Sequence, residues 1–196
     1  IVGITLDQMP LIARPDPDTL FVNAIDTTRR TIEALHQQNI NHVVILSHLG
    51  IDQDRELAKQ VSGISLIIGG HSHTLQGDFS SVGMANMPYG EIVNQTPIFH
   101  AGKYAETLGL VDLCFDASGK VSQFEGDNFF MLGNDIDISQ SSEHPIPEDV
   151  QHLLIQQLRQ HPNMLNGSQD DKIDNVIQTQ YRPALAALEQ QILAHI

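Results

Sequence analysis

Residues 42–73 read HVVILSHLGIDQDRELAKQVSGISLIIGGHSH, and the class of the fold follows from this segment. It holds two apolar runs, residues 43–46 and 66–68, and the first of them lacks the polar alternation of a half-exposed strand. Such runs are typical of parallel strands that are covered on both faces. Asp52 or Asp54 can start a helix between them, whose inward face is Leu57, Ala58 and Val61. The segment is therefore predicted to be a strand-helix-strand unit.

The residues before this segment continue the same alternation. Residues 1–6 resemble a buried strand, and three prolines keep residues 7–20 irregular. Asn23 can cap a following helix, and Asn39 is suited to end that helix in a left-handed conformation. The inward face of this helix is Ile25, Thr28, Ile32 and Leu35. The order strand, helix, strand, helix, strand predicts an α/β fold with a parallel sheet.

The residues after the segment have a different character. Residues 76–94 are rich in Gly, Ser and Met and are predicted to be a long functional loop. Strands follow at residues 98–100, 107–115 and 121–124, and a turn at residues 116–119 joins the last two as a hairpin. Two helices complete the chain, one beginning at Pro147 and one running from about residue 171 to the end, with Pro183 expected to kink or split it.

Composition narrows the possible functions. Ten Lys and Arg against 24 Asp and Glu give a formal net charge of −14, which disfavours nucleic-acid polymers and anionic membranes as partners. No run of about 18 apolar residues is present, so we expect no membrane span. The single cysteine, Cys114, lies in an apolar stretch and is expected to be a buried, inert thiol. The first residue is Ile1, within a predicted strand, and we expect the chain to be a fragment or a processed product.

Three histidines follow the central strands of the predicted sheet. His48 comes directly after the first run, and His71 and His73 come after the second run and the pair Gly69–Gly70. Ligands bind at the carboxyl ends of parallel strands, and neighbouring strands lie about 4.8 Å apart, so two imidazoles there can reach one ion. We expect the two glycines to form a tight turn, and the rings of His71 and His73 to share one side of an extended backbone. Three histidines can form a single zinc centre, whereas two ions would also need bridging carboxylates, for which only Asp7 is at a strand end.

The combined pattern resembles the bacterial 5'-nucleotidase and UDP-sugar hydrolase family of the calcineurin-like metallophosphoesterases. The resemblance lies in VVILSHLG at residues 43–50, Asp54 with Leu57–Ala58, LIIGGHSHT at residues 66–74, AGKY at residues 101–104 and Leu108–Gly109. It implies a partial metallophosphoesterase sandwich, with a mixed sheet and flanking helices. Residues 1–132 would be the second half of the catalytic domain, and residues 133–196 a helical linker toward a nucleotide-binding domain.

The resemblance also implies site roles. His48 and His71 match ligands of one divalent metal, and His73 matches a ligand of the other; zinc, manganese or similar ions are expected. The family's Asp-x-His, Gly-Asp-x-x-Asp and Asn-His-Glu motifs, which supply the remaining ligands and the catalytic histidine, are absent from this sequence. We therefore assign no catalytic residue to this chain. Substrate-binding residues stay unassigned, with Lys103 and Tyr104 equally compatible with lining the site or with a structural role. Asp54 is interpreted as a helix-start residue, and His100, like the remaining histidines, as a surface or packing residue.

The implied function is hydrolysis of nucleotide phosphate esters by the parent enzyme, in the periplasm or cell envelope. One alternative is that the parent acts as an NAD nucleotidase, a UDP-sugar hydrolase or a cyclic-nucleotide phosphodiesterase. The chain alone is expected to be inactive, because its metal site is incomplete. Its partners would be a nucleotide or nucleotide-sugar substrate and the rest of the same protein, and unpaired sheet edges leave a homodimer open. The alternative is a non-catalytic metal-binding or partner module.

Overall fold

The computed structural model describes residues 1–84, 86–133 and 146–190. The chain divides into two compact units. The first unit comprises Ile1–Met131 and His161–Met164, and the second comprises Leu132–Gln160 and Leu165–Ile196. The candidate site lies in the first unit.

The first unit alternates strands and helices in its N-terminal part and is mostly strand afterwards. Its elements are β1 (Val2–Thr5), α1 (Met9–Ile12), α2 (Ala24–Gln37), β2 (Val44–His48), α3 (Ile51–Gln60), β3 (Leu66–Gly69), β4 (Gly77–Asp78), a 3-10 turn (Ser80–Val82), β5 (Asn86–Met87), β6 (Glu91–Val93), β7 (Thr96–His100), β8 (Thr107–Phe115) and β9 (Val121–Leu132), the last residue of which belongs to the second unit.

The main sheet has five strands in the order β1-β2-β3-β7-β6. The pairs β1–β2, β2–β3 and β3–β7 are parallel, and β6 pairs antiparallel with β7. The α/β fold with a mixed sheet and flanking helices is thus confirmed. The parallel pairs bring the carboxyl ends of β1, β2, β3 and β7 to one edge of the sheet, where ligands bind in folds of this type.

Helix α2 begins and ends as its sequence predicts. The Asn23 side chain accepts a hydrogen bond from the backbone N–H of Asp26 at 2.9 Å, which satisfies one of the free donors of the first turn. At the other end, Asn39 has a φ of 61°, the left-handed conformation that asparagine tolerates better than most residues. The inward face buries Thr28 and Ile32.

One face of the main sheet carries the hydrophobic core. Ile45, Ile67 and Ile98 of β2, β3 and β7 are fully buried, together with Leu57 and Ala58 of α3. A forked ion pair holds α3 to the edge strand, because the Arg55 Nη2 group donates to Glu91 Oε2 at 2.8 Å. This hydrogen bond raises the pKa of Arg55.

The opposite face of the same strands is open, so the prediction that β2 is covered on both sides is wrong. Leu46 is 54% exposed and Ile68 is 43% exposed, and their Cα atoms are partners in the β2–β3 register. Residues 1–6 do form a strand, but β1 alternates between exposed and half-buried residues and is not a buried strand. An apolar run was sufficient to predict the strands, but it did not determine what covers them.

Residues 76–94 are more ordered than the predicted loop. Strands β4 and β5 pair antiparallel through Gly77 and Met87, and β6 is an edge strand of the main sheet. Gln76 and Phe79 are fully buried, so this segment also contributes to the interior. The interpretation of the whole segment as a loop is corrected accordingly; Ala85 lies outside the described residues.

Strands β8 and β9 form the predicted hairpin. Gly119, at the permissive position of the turn, has a φ of 86°, and the backbone N–H of Asp116 donates to Lys120 O at 2.8 Å. β9 is longer than predicted and runs to Leu132. Cys114 on β8 is exposed, so its predicted burial is wrong: the strand belongs to a hairpin whose residues are largely accessible. The segment His161–Met164 lies along β9, where the Phe130 N–H donates to Asn163 O at 2.8 Å.

The second unit is mainly helical. It contains α4 (Glu148–Gln160), most of β10 (Met164–Asn166), α5 (Asp171–Val176), a π-helical turn (Ile177–Tyr181) and α6 (Arg182–Glu189). Pro183 lies in the first turn of α6, directly after the π-helical turn, so the regular α-helix is interrupted just before this proline, where a kink or a split was expected. The predicted continuation through Ile192 lies outside the described residues. No described helix is both long enough and apolar enough to cross a membrane.

Because the two faces of β2 differ in burial, we expect truncation of neighbouring side chains to lower the free energy of unfolding by unequal amounts. Ile45→Ala removes a fully buried side chain and is expected to lower the free energy of unfolding by about 2–5 kcal/mol. Leu46→Ala alters a side chain that is 54% exposed and is expected to cost about 1 kcal/mol or less. Urea denaturation followed by circular dichroism measures both values. Equal costs would show that the Leu46 face is covered in solution.

Candidate metal centre

The carboxyl ends of β2 and β3 position two of the predicted ligands. His48 is the last residue of β2, and its Cα is the register partner of Thr5 on β1. Ser47 is the register partner of Gly69, the last residue of β3, and His71 follows two residues later. Since parallel neighbours end at the same edge of the sheet, the chain after β3 passes beside His48.

The structure brings the rings of His48 and His71 together. Their centroids are 5.1 Å apart, and the ring planes meet at 64°, in an edge-to-face arrangement. A cavity of about 540 Å³ lies beside His48, lined by Gly3, Ile4, Thr5, Leu46, Ser47, His48, Ile68, Gly69 and Gly70. This cavity lies on the open face of the sheet, so a ligand can reach His48 from solvent.

The third histidine has a different partner. The His73 ring contacts the Tyr104 ring at a centroid distance of 5.3 Å, and the Lys103 ammonium lies 4.9 Å from the centre of the same tyrosine ring. The backbone N–H of Gly102 donates to Thr74 O at 2.9 Å, which fixes the turn of residues 101–106 beside the turn that carries His73. The structure therefore places His73 near the predicted site but with its ring against Tyr104.

The backbone of the Gly-Gly-His-Ser-His motif differs from the expected turn. His71 and His73 have φ values of 75° and 56°, whereas Gly69 and Gly70 have no positive φ. The left-handed conformation therefore falls on the two histidines and not on the glycines, and the expectation of an extended His71–His73 pair is wrong. Left-handed non-glycine residues cost free energy and cluster at functional sites, where surrounding contacts maintain them.

Hydrogen bonds across the two turns supply those contacts. Ser72 Oγ accepts from the backbone N–H of Ile51, the first residue of α3, at 3.1 Å, and lies 2.8 Å from Thr74 Oγ1. Gly50 has a φ of 91°, and a Cβ atom there would lie 3.5 Å from Ser72 Cβ. The start of α3 and the turn after β3 are thus held together around His71.

A buried carboxylate lies under the same strand ends. Asp54 is fully buried; its Oδ1 accepts from the Ser47 hydroxyl at 2.5 Å, and its Oδ2 lies 2.8 Å from His100 Nε2. Asp54 lies in the first turn of α3, as the helix-start interpretation predicts, and its burial is an additional finding. His100 is buried and paired and is not a surface residue.

A sequence signal for this carboxylate was present. Asp54 precedes Leu57, Ala58 and Val61 by three, four and seven residues, which places an acidic side chain on the inward face of α3. No comparable signal pointed to His100, because its partner lies 46 residues away in the chain.

The imidazoles of His48 and His71 would provide only part of the coordination shell of a metal ion. Two imidazoles at one sheet edge fit zinc, manganese and related ions, which accept nitrogen ligands. Within residues 1–84, 86–133 and 146–190, no group of three or more His, Cys, Asp or Glu side chains is gathered as a metal site. The Asp7 carboxylate accepts a hydrogen bond from Asn23 Nδ2 at 3.4 Å. The described residues therefore fit part of a metal centre.

Comparisons with known proteins give curated relatives that are named as 5'-nucleotidases or nucleotide phosphoesterases. No family model matches the chain. The Treponema pallidum protein named "Probable 5'-nucleotidase" is 26% identical over 212 aligned positions, which cover all of this chain and 35% of that protein. The "Trifunctional nucleotide phosphoesterase protein YfkN" of Bacillus subtilis is 31% identical over 177 positions, covering 88% of this chain and 11% of that protein.

A solved structure shares the fold. The Haemophilus influenzae NAD nucleotidase superposes with a TM-score of 0.82 at 22% identity, covering 97% of this chain and 40% of that one. At this level of identity the likeness concerns the fold. The relatives define a class, the nucleotide phosphoesterases, and the resemblance of the sequence to 5'-nucleotidases is confirmed. The chain belongs to the 5'-nucleotidase family and spans about a third or less of the length of these two curated relatives.

The separate partners of the histidines predict separate responses to mutation. Tyr104→Ala removes the ring against His73 and is expected to shift the ring resonances of His73 more than those of His48 or His71. Two-dimensional proton–carbon NMR of the histidine rings measures these shifts. Phe115→Ala is the matched control, because Phe115 contacts the His42 ring at 5.2 Å and should affect that histidine alone. A larger shift at His71 than at His73 in Tyr104→Ala would contradict the observed ring contacts.

Proposed function

We propose that this chain is part of a metal-dependent phosphohydrolase of the metallophosphoesterase class, which hydrolyses nucleotide phosphate esters. In this proposal His48 and His71 hold one divalent cation and His73 helps to hold a second. The observation that carries it is the contact between the His48 and His71 rings at the carboxyl ends of adjacent parallel strands, in a chain of the 5'-nucleotidase family.

Charge supports a role for cations. The chain has a formal net charge of −14, which repels an anionic phosphate ester. Bound divalent cations reverse the local sign, activate water and stabilise charge on phosphoryl oxygens, and this is the chemistry that such ions supply. In this proposal the imidazoles of His48, His71 and His73 supply nitrogen ligands, and we assign none of them a proton-transfer role.

Other parts of the protein complete the site in this proposal. Bridging carboxylates are needed between two metal ions, and the described residues gather none beside His48 and His71. The open apolar face at Leu46 and Ile68 supports the same idea, because the strands of parallel sheets are normally covered on both faces. We assign residues 1–132 to half of the catalytic domain and residues 133–196 to a helical linker, with the protein in the periplasm or cell envelope. The chain alone is then inactive.

A second candidate function is metal or partner binding without turnover. It is favoured by the same shortage of ligands among the described residues. Metal affinity does not separate it from the first proposal, but hydrolysis by the whole protein does.

Metal binding is expected to depend on two specific histidines. His48→Ala and His71→Ala should each weaken zinc binding to the chain by about tenfold or more, because each removes one nitrogen donor from a small donor set. Isothermal titration with Zn²⁺ measures the dissociation constants. His152→Ala, which changes a histidine on α4 with a side chain 78% exposed, is the control and should alter the constant less than twofold. Equal effects of the three variants would refute the assignment.

Hydrolysis is expected from the protein isolated from its native cells and not from the 196-residue chain. Release of phosphate from 5'-AMP with added Mn²⁺ is the measurement, and UDP-glucose, NAD and a cyclic nucleotide are tested in parallel. His71→Ala in the native gene should lower the rate by at least about a hundredfold, since a metal ligand acts in every turnover. Turnover by the chain alone would contradict the incomplete site, and no turnover by the native protein would favour binding without catalysis.

A further inference from the structure

Three strand positions form one row beneath the candidate site. Ser47 of β2 is the register partner of Gly69 of β3, and Gly69 is the register partner of His100 of β7. Residues in one row of a parallel sheet project to the same face. The side chains of Ser47 and His100 therefore flank Gly69 on the face that α3 covers, where both are buried.

Asp54 lies over the middle of this row. Its two carboxylate oxygens are divided between the flanking residues, with Ser47 Oγ at 2.5 Å and His100 Nε2 at 2.8 Å. A Cβ atom at Gly69 would overlap both Asp54 Oδ2 and His100 Nε2. The absence of a side chain at Gly69 is thus what admits the carboxylate between the two strands.

Stability alone does not account for a buried carboxylate of this kind. Removing a charge from water costs free energy that a single partner repays only with good geometry, and well-packed apolar groups at such positions are often as stable or more stable. Here Asp54 is 0% exposed and His100 is 2% exposed. What this arrangement adds, compared with an apolar one, is a set of directional bonds.

These hydrogen bonds include the residues on either side of His48. Ser47 Oγ accepts a hydrogen bond from the backbone N–H of Leu49 at 3.1 Å while it donates to Asp54. His48 lies between Ser47 and Leu49, and alternation along β2 directs its side chain to the open face. The Ser47 hydroxyl therefore closes a bridge across the residue whose ring contacts His71.

The other end of the network is also anchored. The backbone N–H of His100 donates to Gln76 Oε1 at 3.0 Å, and Asn128 Nδ2 donates to His100 O at 2.7 Å. Gln76 and Asn128 are fully buried. The backbone of His100 is therefore held by residues outside the row. Asp54 in turn links the His100 side chain to the Ser47 hydroxyl.

We propose that Asp54 and His100 are positioning residues that, through the Ser47 hydroxyl, set the orientation of the His48 ring toward His71. The importance of that orientation for metal binding rests on the proposed function. The orientation itself is a property of the metal-free chain and can be measured without a metal.

The first measurement is the nuclear Overhauser effect between the His48 and His71 rings in the metal-free 196-residue chain. The rings are 5.1 Å apart, a separation that gives a measurable cross-peak. Ser47→Ala and Asp54→Ala are expected to reduce its intensity at least about threefold, because the bridge that fixes the turn is lost. Asp54→Asn keeps an oxygen for the Ser47 hydroxyl and should retain more than half of the intensity.

Ser65→Ala is the matched control. Ser65 is 1% exposed, accepts from the Val43 N–H at 2.9 Å and donates to Gly119 O at 2.5 Å, at the opposite end of β2 and β3. Ser65→Ala removes a hydroxyl that is buried to a similar extent, but it should leave the cross-peak between the His48 and His71 rings unchanged. If Asp54→Ala does not fold, Ser47→Ala decides the question, because it leaves the Asp54–His100 pair in place.

Zinc titration gives the second readout. Ser47→Ala is expected to weaken zinc binding by about 10–100-fold, the usual effect of losing a group that orients a metal-binding histidine. An unchanged cross-peak in Ser47→Ala, or an equal loss in Ser65→Ala, would overturn the positioning role. If the unmutated chain binds no zinc while Ser47→Ala loses the cross-peak, the assignment of His48 and His71 as metal ligands of this chain fails and the positioning role stands. If the unmutated chain binds zinc while Ser47→Ala keeps the cross-peak, the positioning role fails and the metal-ligand assignment of His48 and His71 stands.

Discussion

The parallel pairing of β2 with β3 is the constraint on which the candidate site depends. This pairing aligns Ser47 with Gly69, so that both strands end at one edge and the chains that leave them run side by side. A one-residue slip would turn His48 toward the covered face and Ser47 toward the open face, because side chains alternate along a strand. The buried residues Ile45 and Ile67 oppose such a slip, since it would expose them. Core packing on one face thus sets the position of the imidazole on the other.

Backbone strain at the site is offset by bonds between neighbouring turns. His71 and His73 both have left-handed backbones, which L-residues adopt at a cost. Ser72 between them is bonded to the start of α3, and the ring of His73 lies against Tyr104. The tyrosine itself has a φ of 55°. Two strained turns that contact one another give each ring a defined environment, which is what a pre-arranged ligand set requires.

The two faces of the sheet carry different functions in this picture. The covered face holds the core and the Ser47–Asp54–His100 network, and the open face holds His48, Leu46 and Ile68. Metal chemistry is proposed for the open face and positioning for the covered face. The two are joined by the backbone of β2, in which adjacent residues point in opposite directions.

The sequence by itself determined the local elements. The strand-helix-strand order, the Asn23 cap, the left-handed Asn39 and the break at Pro183 were all predicted correctly, because each depends on residues within a few positions of one another. It also placed His48 and His71 after adjacent strands. Tertiary structure alone decided the exposure of Leu46 and Cys114, the left-handed backbones of His71 and His73, and the pairing of Asp54 with His100. These features depend on which strands are neighbours and on which face a helix covers. Asp54 and His100 are 46 positions apart, and no local sequence pattern indicates their contact.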